Sequence, residues 1–145
     1  MSITHGSSAS RPGMTHPAIL GRAFNREIIN LGFSGNGKME PEVTRFFAEL
    51  NPAVFILDCL PKMNDTEVHE RTAHRQRNES NHAALGEEFA KLQAEKVPQL
   101  YYLKADNLLS SDGEGPIHSS HPTDLGFTSQ AAEVERVLRQ IPSLA

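Results

Sequence analysis

With 145 residues, 38% of them apolar and 22% charged, the chain has the size of one domain with material for one modest core. A net charge of −4 argues against nucleic acid as its main partner, and no apolar run approaches the roughly 18 residues of a membrane span. The polar, Gly- and Ser-rich opening does not read as a signal peptide, so a soluble, cytoplasmic protein is expected, in keeping with a mean hydropathy of −0.42.

Residues 1–15 read as a loop, broken by Gly6, Pro12 and Gly13. Pro17 to Phe24 predicts a short helix with proline in its first turn. Glu27-Ile-Ile-Asn-Leu31 is strand-like and ends at a turn rich in glycine, Gly32, Gly35 and Gly37. Pro41 to Leu50 spaces Val43, Phe46, Phe47 and Leu50 along one helical face. Ala53-Val-Phe-Ile-Leu-Asp-Cys-Leu60 is the strongest strand, a continuous apolar run suited to the middle of a parallel sheet. It holds Cys59, the only cysteine, which rules out an internal disulfide and reads as a buried, inert thiol.

A polar stretch follows from residue 64 to 83, with its charge cluster reading as a solvated helix face or linker. Helical spacing returns over Ala84 to Lys96 through Leu85, Phe89 and Leu92. Leu100-Tyr-Tyr-Leu103 predicts a third strand, Asp106 to Thr123 a loop, and Phe127 to Ile141 a closing helix. That helix turns Ala131, Val134, Val137, Leu138 and Ile141 inward. Phe46, Phe47, Phe89 and Phe127 are expected in the core or between helix and sheet. Strands alternating with helices indicate an α/β layered fold in one domain, residues 1–145.

Three segments carry chemistry. Ser2-Ile-Thr-His-Gly6 opens the chain, Asn30-Leu-Gly-Phe-Ser-Gly-Asn-Gly37 follows the first strand, and His118-Ser-Ser-His121-Pro-Thr-Asp-Leu-Gly-Phe127 precedes the last helix. Together they resemble the SGNH/GDSL family of serine esterases and lipases. Within it they look closest to a bacterial subgroup carrying Leu-Asp-Cys-Leu-Pro, here Leu57 to Pro61. The resemblance implies a three-layer, flavodoxin-like fold and a hydrolase of ester bonds, on small acyl or carbohydrate esters, working through an acyl-enzyme without a cofactor. Ser2 matches the nucleophile, His121 the base that takes its proton, and Gly35 the glycine whose N–H faces the oxyanion.

The chain departs from that pattern at two of the matched positions. Lys62 stands where the family has its oxyanion asparagine, with Asn64 two residues on, and His118 stands where the orienting aspartate belongs. An ammonium is a flexible point charge and not a fixed amide donor, and a histidine does not supply the negative charge that favours an imidazolium. In the family sheet order 2-1-3-4-5, strands 1 and 4 find no counterpart here, so the surviving strands are not neighbours. Unless they re-pair, or a second copy or another molecule fills the gaps, each exposes unpaired backbone groups. The alternative reading is therefore a catalytically inactive remnant serving as a binding or oligomerising module. His118 with His121, and His69, His74 and His82, raise metal binding, but no cysteine pair or His-Glu-x-x-His helix supports it, and no metal site is assigned.

Overall fold

The computed structural model describes residues 1–36, 41–50, 52–56, 72–104, 106, 108–110, 112–117 and 121–144. Helices α1 (Ser2–His5), α2 (His16–Phe24), α3 (Pro41–Leu50), α4 (Thr72–Ala94) and α5 (Asp124–Leu138) alternate with loops. A 3-10 turn covers Pro12–Met14, and strands β1 (Pro116–Ile117) and β2 (His121–Pro122) pair antiparallel.

The core lies where α2 crosses α5. Leu20 on α2 meets Ala131 and Leu138 on α5, with Ile141 just beyond its end, and Ile19, Phe24, Val54, Val134 and Leu144 close the cluster. Ile3 and Phe127 are wholly buried, and the Phe127 ring stacks on buried His16 at 6.1 Å between centroids. Each long-range side of this core begins with a threonine cap. The Thr15 hydroxyl accepts the Ala18 N–H, and the Thr123 hydroxyl accepts the Gly126 N–H, each satisfying an orphan amide of the first turn. The second cap explains why α5 starts at Asp124, three residues before the expected Phe127.

The helices foreseen at Pro17–Phe24 and Pro41–Leu50 form. The expected loop over 1–15 contains instead the short α1, and the polar stretch is helical from Thr72 onward, continuous with the helix foreseen from Ala84. Residues 57–71, including Cys59, lie outside the described residues.

The strands expected at Glu27–Leu31 and Leu100–Leu103 do not form, and residues 54–56 of the third carry no strand. A strand exists only through hydrogen bonds to a neighbour, and a suitable apolar sequence does not supply that neighbour. Ile28, Ile29, Phe55, Ile56 and Tyr101 are accordingly left 44–55% exposed. The parallel layer is thus absent among the described residues, which form a mixed α/β chain with one small sheet. Phe46, expected inside, is exposed, whereas Phe89 is half-buried against the Tyr102 ring at 4.9 Å. Phe47 lies among the side chains not described.

Candidate functional site

Ser2 occupies the first turn of α1, a four-residue helix held down by the burial of Ile3. The turn closes at Gly6, whose φ of 105° lies in the left-handed region; its N–H bonds to the carbonyls of Ser2 and Ile3. A Cβ there would stand 2.3 Å from the Thr15 side chain, so glycine answers both the backbone angle and the space.

His121 reaches the same place from the other end of the chain. It opens β2, opposite Ile117, and buried Pro122 follows it. Thr123 then pins the segment: its N–H donates to the Gly115 carbonyl at 2.8 Å and its hydroxyl lies 3.0 Å from the Glu114 carbonyl. Across 119 residues of sequence, His121 Nε2 comes within 3.0 Å of Ser2 Oγ, both half-buried. With the imidazole proton on Nδ1, the serine hydroxyl donates to Nε2, which is the geometry a base needs to take that proton.

A second link ties the two segments together. The Ser10 N–H and hydroxyl both donate to the Asp124 carboxylate, at 2.9 and 2.5 Å, at the N-terminus of α5. The Ser10 hydroxyl bond, first, and then the Ser10 N–H and the nearby Arg11 charge hold the Asp124 carboxyl below its usual range. Asp112, likewise lowered, is engaged by the Ser110 hydroxyl and the Glu114 N–H.

Gly35 lies in the turn Ser34–Asn36 with φ of 76° and open space where a Cβ would point. This turn is fastened to α1: the Ser34 N–H donates to His5 Nδ1 at 3.3 Å, and Asn30 Nδ2 donates to the Thr4 carbonyl at 2.6 Å. Between them Gly32 sits so close that a Cβ would fall 2.2 Å from the His5 nitrogen. An open groove of about 400 Å³, lined by His5, Phe33, Ser34, Asn36 and Val43, runs alongside.

Of the residues singled out from the sequence, Ser2 and His121 are thus brought together, and Gly35 is joined to the helix that carries Ser2. Lys62, Asn64 and His118 lie outside the described residues. Among the described residues no group of three or more His, Cys, Asp or Glu side chains is gathered to hold a metal, and no helix is long and apolar enough to cross a membrane. The Ser10–Asp124 link and the roles of His5 and Asn30 were not legible in the sequence. Their partners lie 26 to 114 residues away, and no local pattern announces them.

The sequence profile of the GDSL-like lipase/acylhydrolase family matches residues 1–78 and 72–139. A solved structure from Bacteroides ovatus ATCC 8483, described as GDSL-like lipase, superposes with a TM-score of 0.80 at 34% identity. The match covers 99% of this chain and 52% of that one, so the chain spans about half the length of this relative. No curated protein matches the sequence.

Proposed function

Because the chain belongs to the GDSL-like lipase/acylhydrolase family, we propose that it hydrolyses ester bonds of small acyl or carbohydrate esters through an acyl-enzyme on Ser2. The observation that carries this reading is the 3.0 Å approach of Ser2 Oγ to His121 Nε2. Ser2 attacks the ester carbonyl as His121 takes its proton. The carbonyl π pair moves to oxygen, and the Gly35 N–H receives the developing oxyanion. Collapse of the tetrahedral species expels the alcohol, which takes the proton back from His121. Water activated by the same imidazole then releases the acid and regenerates the serine. Besides the ester and water, these steps use Ser2, His121 and the Gly35 N–H.

Lys62 and His118 bear on rate. Loss of the orienting carboxylate from a triad costs about 10⁴-fold where the geometry is otherwise kept, so turnover well below that of a full triad is expected. The test is hydrolysis of p-nitrophenyl acetate by the parent chain, Ser2→Ala and His121→Ala. Loss of the burst and of steady turnover in both variants supports the reading. Equal rates in all three proteins reject it.

A further inference from the structure

We propose that His5 and Asn30 are positioning residues that hold the Gly35 turn against the nucleophile helix, so that one small unit carries both Ser2 and the oxyanion donor. The inference deepens the proposed ester hydrolysis and rests on it for the role given to the Gly35 N–H.

Residues 26–33 have no strand pairing, so no sheet ladder fixes where the turn after them lies. Three contacts with α1 do that work instead. At its near end, Asn30 donates through Nδ2 to the Thr4 carbonyl at 2.6 Å, while its Oδ1 accepts the Gly32 N–H at 2.9 Å. One side chain therefore bridges the last turn of α1 and the backbone leading to Gly35. In the middle, Gly32 lies against the Thr4–His5 peptide, where a Cβ would be 2.2 Å from the His5 nitrogen and 2.6 Å from the Thr4 carbonyl carbon. At the far end, His5 Nδ1 accepts the Ser34 N–H at 3.3 Å, one residue before Gly35. Accepting through Nδ1 requires a neutral ring with its proton on Nε2.

The arrangement has a catalytic consequence. An oxyanion donor contributes only when its N–H is already aimed at the place where charge develops. Gly35 has a positive φ and nothing packed where a Cβ would stand, so no side-chain contact fixes it. The aim is set by its neighbour's bond to His5, three residues after Ser2 on the same helix. Phe33 N–H to Leu31 and Asn36 N–H to Phe33, both 3.0 Å, shape the turn itself but do not tie it to α1.

The variants His5→Phe, His5→Asn and Asn30→Asp separate the roles. Phenylalanine fills the space of the ring without an acceptor; asparagine restores an acceptor through Oδ1; aspartate at position 30 keeps the acceptor for Gly32 and removes the donor to Thr4. Amide hydrogen exchange of Ser34 and Gly35 is read by NMR, with α5 amides as the internal reference. Steady-state hydrolysis of p-nitrophenyl acetate is measured in parallel. The expected result is faster exchange at Ser34 and Gly35 in His5→Phe and Asn30→Asp, with α5 unchanged. With it, kcat falls about tenfold or more, KM stays within about twofold, and His5→Asn recovers most of the loss. Unchanged exchange at Ser34 in both losing variants overturns the clamp. Faster exchange with an undiminished kcat overturns its positioning role. If the parent chain hydrolyses no ester, the failure belongs to the proposed function, and the exchange measurements alone decide whether His5 and Asn30 hold the turn.

Discussion

Gly126→Ala tests how the histidine segment is seated. Gly126 lies in the first turn of α5, and a Cβ there would stand 2.1 Å from the Gly115 carbonyl oxygen and 2.9 Å from Pro122 Cβ, where ordinary contact begins at 3.4 Å. One wall must retreat by roughly 1 Å. Gly115 is closely backed in turn, since a Cβ on it would stand 2.0 Å from the Leu109 carbonyl oxygen. Both walls lead to the histidine: the Gly115 carbonyl accepts the Thr123 N–H, and Pro122 follows His121 directly. Overpacking of this kind costs about 1–3 kcal/mol, which for a chain of this length lowers Tm by about 3 °C per kcal/mol. A shift of about 1 Å at His121 stretches its 3.0 Å approach to Ser2 beyond hydrogen-bond reach, and misplacement on that scale costs about 10²-fold in rate. Thermal melts by circular dichroism, with initial rates on p-nitrophenyl acetate taken well below both midpoints, give the two numbers separately. Gly86→Ala is the control: no atom lies within 4 Å of a Cβ there, and the residue is inside α4. It should raise stability by up to about 1 kcal/mol and leave the rate alone. A Gly126→Ala protein with the parent's Tm and kcat would refute the close Gly115–Gly126–Pro122 seating.

Phe127→Ala removes a wholly buried ring and its stacking on His16, and should cost about 3–5 kcal/mol, measured as a lowered urea midpoint at unchanged m-value. The Ser10–Asp124 link makes stability pH-dependent. The native carboxyl has the lower pKa, so its contribution is complete above the unfolded value of roughly 3.9 and is lost as pH falls through the native one. Ser10→Ala should therefore move the acid-unfolding midpoint to higher pH, and its effect on stability should shrink as pH falls and the native carboxyl takes up its proton. His118→Asp supplies the family's orienting charge. It should raise kcat on p-nitrophenyl acetate by tenfold or more in a Ser2-dependent manner, and an unaltered rate would show that the orienting acid is not what limits this chain.

What could be read from the sequence divides along the range of the interactions. Helices α2 and α3 were legible because their evidence is local: proline in the first turn and apolar residues three and four apart. The strand at Glu27–Leu31 had equally good local evidence and still does not form, since its partner has to come from elsewhere in the chain or from another molecule. The same division runs through the site. Ser2, Gly35 and His121 stood out because each sits in a short motif. Ser10 with Asp124, His5 with Ser34 and Gly32 with the Thr4–His5 peptide did not, because each is half of a contact closed by the fold.

These contacts, together with the threonine cap of α5, also account for how Ser2 and His121 meet when the described residues form no parallel sheet. On one side, α1 is anchored by buried Ile3 and carries the Gly35 turn with it. On the other, the Thr123 cap and the Gly115–Gly126 approach hold His121 to α5, whose face is buried against α2. Ser10 joins the two sides through the Asp124 carboxylate. The Ser2–His121 approach therefore depends on helix packing between the chain's two ends, so loss of the α2–α5 core should abolish it in the same transition that melts the helices.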